Sequence, residues 1–133
     1  MGVCKATELP EAGGGRWPMS GTAFRSVHWG DLEVGLTTLS EPANISGMYD
    51  GLPGGVCPCP HYGYVFSGRV RCVYPDSELA DEVAETGDVY FFQSGHYLIY
   101  EEPSQVLEFN PAAALARVMD HVQGYAERML RGS

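Results

Sequence analysis

Four cysteines and four histidines supply the soft and borderline metal donors of this chain, and three of these eight residues crowd into five positions: Cys57, Cys59 and His61, in the stretch GGVCPCPH. In an extended segment, side chains alternate between faces, so i, i+2 and i+4 point the same way. Two such steps cover about 6.6 Å of backbone, which two thiolates can bridge to one ion if the strand bends toward it. Pro58 and Pro60 bias Cys57 and Cys59 toward extended dihedrals. They also remove two backbone donors, which places the stretch at an edge or an end. The competing reading is a polyproline II turn, whose three residues per turn would splay the side chains and leave two packed thiols.

A further donor follows in SGHYLIYEE, where His96 opens a return strand. Two thiolates with one or two imidazoles suit one divalent ion, zinc first and iron or copper second. Manganese and magnesium suit it less, for want of strong oxygen donors. The expected metal ligands are therefore Cys57, Cys59, His61 and His96. Four ligands would close a structural site; three would leave a position open to water or substrate. Of the other cysteines, Cys72 alternates with Val70 and Tyr74 and reads as a small buried hydrophobe. Cys4 sits in the first few residues and reads as a bystander.

Candidate proton carriers are His28, on an early strand beside Trp29, and Glu102, just past His96. Their plainer readings are a satisfied structural histidine and an exposed strand-end charge. His121 falls on a terminal helix and is set aside. Tyr62, Tyr64 and Phe66 are out of phase with His61 and belong to an outer face. Gly63 and Val65 share its phase, Gly63 leaving room for a substrate or marking a bulge.

The elements that must position these residues are mostly strands. Residues 1–20 read as a flexible lead-in broken by Pro10, Gly13, Gly14, Gly15 and Pro18, from which Trp17 docks on the body. The domain proper is residues 21–133. Short stretches rich in Val, Tyr and Phe, parted by turn residues, predict strands over Thr22–Trp29, Leu32–Leu39, His61–Phe66, Arg69–Tyr74, Ala80–Glu85, Val89–Phe92, Tyr97–Tyr100 and Gln105–Phe109. Such spacing means a sandwich or barrel. Asn110 then reads as a helix N-cap and Pro111 as the first helical position. A helix over 111–131 follows, with Leu115, Val118, Met119, Val122, Tyr125, Ala126 and Met129 as its apolar stripe.

The chain has 133 residues, suited to one core, and a net charge of −9 from 17 acidic and 8 basic side chains. That balance argues against nucleic acid and against anionic membrane as partners. No apolar run reaches the length of a membrane span, and the first residues lack an apolar leader core, so the expected place is the cytoplasm, with reduced thiols.

Two stretches together resemble the cupin superfamily. His61 to Gly68 has the spacing of the end of its first motif, with His61 where glutamate is usual. Gly87, Gly95 and His96 match the second, with Gln93 where proline is usual. Within the superfamily the chain is most similar to small single-domain members whose first motif carries Cys-x-Cys-Pro-His. Here Cys57 and Cys59 stand nearest to the usual His-x-His pair, and Leu98 occupies the usual place of the second-motif histidine. The resemblance implies an all-β fold, a cupin-type double-stranded β-helix or jelly-roll barrel with one C-terminal helix. It also implies a metal in the barrel, a small-molecule substrate or ligand, and a homodimer. The function expected is a metal-dependent enzyme, in specialised metabolism, with cyclase, lyase or isomerase chemistry on zinc and oxygen chemistry on iron or copper. The alternative is a non-catalytic binding module with a structural Cys/His clip.

Overall fold

A computed structural model describes residues 2–10 and 22–131, and the side chains of the C-terminal helix as far as Val122. Among the described residues nine strands run in order: β1 (Thr22–Trp29), β2 (Leu32–Leu39), β3 (Ala43–Asn44), β4 (His61–Ser67), β5 (Arg69–Val73), β6 (Glu82–Glu85), β7 (Val89–Phe92), β8 (Tyr97–Tyr100) and β9 (Ser104–Pro111). Helix α1 (Ala112–Arg131) closes the chain. The strands form two antiparallel sheets, β1-β2-β9-β4-β7 and β3-β8-β5-β6. The expected strands are all present; β6 starts two residues later than Ala80, and β3, only two residues long, was not expected.

The core lies between the sheets because each strand alternates. Val65, Phe92 and Val106 face inward from one sheet, and Val70, Cys72, Leu98 and Tyr100 from the other. Tyr62, Phe66, Val89, Phe91 and Phe109, in the opposite phase, are exposed on the outer face.

Of the lead-in expected over residues 1–20, residues 2–10 are described. Leu9 is buried on the outer face of the larger sheet against Val34 and Leu36. One backbone and one side-chain hydrogen bond fasten the segment there: Ser26 N–H donates to the Pro10 carbonyl at 2.9 Å, and Arg25 Nη1 donates to the Leu9 carbonyl at 2.9 Å. The docking expected of Trp17 lies outside the described residues.

Helix α1 buries Leu115, Val118, Met119 and Val122, the i, i+3, i+4, i+7 face of its stripe. Each such side chain contributes on the order of 1.5–3 kcal/mol when fully buried. The rest of the expected stripe, Tyr125, Ala126 and Met129, lies outside the described side chains. The helix packs across the barrel opening rather than on its outside: these four residues line the interior cavity. The ring Nε2–H of His121 donates to the Asp50 carbonyl at 2.6 Å and ties the helix to the turn before β4.

Asn110 does not cap the helix. It belongs to β9, paired with Glu33 of β2, and its amide is committed inside the barrel. Among the described residues no helix is long and apolar enough to cross a membrane.

Candidate metal centre

The Pro-rich stretch reaches the barrel by one bridge. Cys57 N–H donates to the His96 carbonyl at 2.7 Å, and Gly95 N–H donates to the Cys57 carbonyl at 2.8 Å. The turn that returns the chain to His96 needs Gly95 at φ 92°, a conformation costly for residues with a Cβ. Beyond Cys57 the backbone bends at Cys59 and enters β4 at His61. Cys57, His61 and His96 are thereby brought together, all buried, with one donor atom from each within 4.8 Å of the others.

The histidine tautomers follow from their partners. The Nδ1 of His61 lies 3.0 Å from the Asn110 side-chain oxygen, an acceptor, so Nδ1 carries the proton. The Nδ1 of His96 lies 2.5 Å from the Gln93 carbonyl and carries one too. Both Nε2 atoms then present lone pairs. His61 Nε2 is 3.7 Å from Cys57 Sγ. His96 Nε2 is buried with no hydrogen-bond partner. A buried acceptor left unmade costs about 1–3 kcal/mol, and a cation among the three donors removes that cost. The rings meet edge to face, 5.0 Å between centroids. One thiolate and two imidazoles fit zinc, iron or copper, and the Nδ1–H partners are the supports that metal-bound histidines ordinarily have.

Burial, more than the neighbouring His61, lowers His96 to about 4 and keeps it neutral. Burial raises the Cys57 thiol well above its ordinary value, so an incoming cation must displace its proton.

Cys59, expected as a second thiolate ligand, is outside this group. Its Sγ lies 3.3 Å from the Pro60 carbonyl, and burial pushes the thiol up to about 12. The expectation required an unbroken strand, and the bend at Cys59 breaks the alternation. His28 and Glu102 are not among the residues lining the cavity. The His28 side chain is 60 % exposed, with Nε2 3.1 Å from the buried Glu33 carboxylate. Glu102 is exposed in the turn after β8. Gly63 does not make room for a substrate. A Cβ there would come within 2.5 Å of the Tyr90 ring and 2.7 Å of the Leu107 carbonyl.

The cavity beside the donors has a volume of about 40 Å³ for the centres of water-sized molecules, room for about three waters at 10–15 Å³ each. Its walls are mainly apolar, with Phe24, Ile45, Leu98 and Met119 among them. Glu108 and Asn110 are the functional residues not anticipated, although both share the inward phase of Val106 in β9. Tyr90 donates to one Glu108 oxygen at 2.5 Å, and Asn110 Nδ2 donates to the other at 3.0 Å. The chain Tyr90–Glu108–Asn110–His61 thus sets the orientation of the His61 ring. Tyr49 and Tyr100 also line the cavity.

No family model and no curated protein sequence matches the chain. Solved structures do. The polyketide cyclase RemF from Streptomyces resistomycificus superposes with a TM-score of 0.51 at 16% identity, covering 84% of this chain and 79% of that one. The Fe(II) form of HppE superposes with a TM-score of 0.52 at 12% identity, covering 82% and 60% respectively. With the two sheets and the C-terminal helix, these likenesses establish the cupin-type fold.

Proposed function

We propose that this cupin-type barrel is a metal-dependent enzyme acting on a small organic molecule, with Cys57, His61 and His96 as the protein ligands of one divalent ion, zinc first and iron or copper second. The observation that carries the reading is the convergence of three buried donors, two of which, Cys57 and His61, line an apolar cavity, with the lone pair of His96 Nε2 otherwise unused. With Cys59 turned to Pro60, three donors remain, the count typical of sites that keep a position for water or substrate. A bound divalent ion supplies Lewis acidity toward a substrate oxygen or, as iron or copper, redox chemistry. The chain's own residues orient and enclose. Asn110 and Gln93 hold the two imidazoles, and α1 shields the cavity from bulk water. That one neighbour on this fold is named a polyketide cyclase and another contains iron(II) accords with an enzyme of specialised metabolism. The homodimer and the cytoplasmic setting belong to the same proposal. The exposed face of Tyr62, Phe91 and Phe109 is the candidate contact, testable by light scattering.

Elemental analysis of protein purified without added metal tests the reading. Near-stoichiometric metal is expected in wild type and in Cys59→Ala, and loss of it in Cys57→Ser and His96→Gln. Metal-free wild type, or equal loss in Cys59→Ala, would refute the assignment. A ligand that binds the loaded protein and returns chemically unchanged would favour the non-catalytic module.

A further inference from the structure

Tyr49 and Tyr100 enter the cavity from different elements, a 3-10 turn (Ser46–Tyr49) and the end of β8. They are 4 % and 3 % exposed. Both line the cavity on which Cys57 and Glu108 also border. The four groups are close enough that negative charge on Cys57 or Glu108 opposes ionisation of either phenol, and ionised Tyr100 opposes that of Tyr49. With burial as the larger cause, both tyrosines stay neutral and keep their O–H donors. Tyr90 and Tyr74 have spent theirs: Tyr90 donates to Glu108, and Tyr74 to Glu82 at 2.5 Å. The hydroxyls of Tyr49 and Tyr100 make no hydrogen bond among the described residues, and neither oxygen is among the fully enclosed polar atoms that lack a partner, so both keep access to open space.

Two donors without a protein acceptor, both on one apolar cavity, are free to meet an acceptor brought from outside. We propose that Tyr49 and Tyr100 form a two-donor subsite for the carbonyl oxygen of a neutral, otherwise apolar ligand. The subsite rests on the cavity being the ligand site of the proposed function. Neutrality follows from the wall: the Glu108 carboxylate disfavours an anion, and both its oxygens are already engaged by Tyr90 and Asn110, which leaves little for a cationic head group. The apolar remainder follows from Phe24, Ile45, Leu98 and the α1 side chains.

Cyclopentanone and methylenecyclopentane, which share a shape and differ in the C=O, are suitable probes. Their affinities are measured by NMR titration against wild-type protein, Tyr49→Phe, Tyr100→Phe and the double variant. Metal content and thermal melting are recorded for each. Each Tyr→Phe change is expected to weaken cyclopentanone about 2- to 13-fold, the range of a single hydrogen bond, and to leave methylenecyclopentane unweakened. The ¹³C carbonyl resonance of bound cyclopentanone, shifted downfield in wild type, is expected to return toward its apolar-solvent position in the double variant. Equal weakening of both probes, an unchanged carbonyl resonance, or no binding of the ketone to wild type would overturn the subsite. No discrimination between the two probes by a wild-type protein that carries metal sinks the subsite alone. Discrimination by a wild-type protein that carries no metal, lost in the double variant, sinks the metal assignment alone.

Discussion

Acidification should destabilise the metal-free protein through His96. The imidazole is fully buried, its Nε2 has no partner, and its folded-state value is lowered to about 4 from an ordinary 6.5. Between those two values the unfolded chain binds a proton that the folded chain refuses, so stability falls as pH falls. The loss begins near 6.5 and is complete below about 4. The gap between 6.5 and about 4, at about 1.36 kcal/mol per pH unit, sets a ceiling of about 3.4 kcal/mol. Between pH 7 and pH 5 the expected share is about 2 kcal/mol, a large part of a typical domain's margin. The assay is urea unfolding of chelator-treated protein at pH 7, 6 and 5, for wild type and for His96→Gln, which cannot take up the proton. The difference between their pH dependences isolates His96 from the carboxylates that titrate nearby. Parallel dependences in the two proteins would refute the placement of His96 as a neutral, buried, unpartnered imidazole.

Asn110→Leu removes the acceptor for His61 Nδ1–H and should weaken metal binding about 10- to 100-fold, read by cobalt(II) titration, with Asn110→Asp restoring part of it. Gly63→Ala places a methyl group against the Tyr90 ring and the Leu107 carbonyl and should cost about 1–3 kcal/mol in urea unfolding. Leu9→Ala should cost about 2–5 kcal/mol by the same assay, because Leu9 is a core residue of the outer-face cluster; a cost near zero would mean that residues 2–10 do not dock.

Local chemistry made much of the architecture legible. Val, Tyr and Phe alternation marked the strands, Gly and Asp marked the turns, and the 3.6-residue stripe marked α1, because each of these preferences acts within a few residues. The donor types at Cys57, His61 and His96 were legible for the same reason. What failed was extrapolation across the bend. The assumption that Cys59 shares the face of Cys57 holds only for continuous strand, and one bridge to His96 followed by two prolines does not make one. The Asn-Pro pair before the helix carried a capping signal, yet β9 continues through both residues and the amide of Asn110 finds better partners in His61 and Glu108.

The amino-acid sequence by itself determined a two-sheet β fold with one amphipathic helix, an acidic surface, and a set of soft donors able to bind a metal. Tertiary structure decided which donors meet. The antiparallel pairing of β4 with β9 sets His61 beside Asn110 and Glu108, the Cys57–His96 bridge joins segments 39 residues apart, and α1 folds over the opening to make a cavity. These are long-range registers, fixed by which buried faces can be satisfied together, and no local run of residues specifies them.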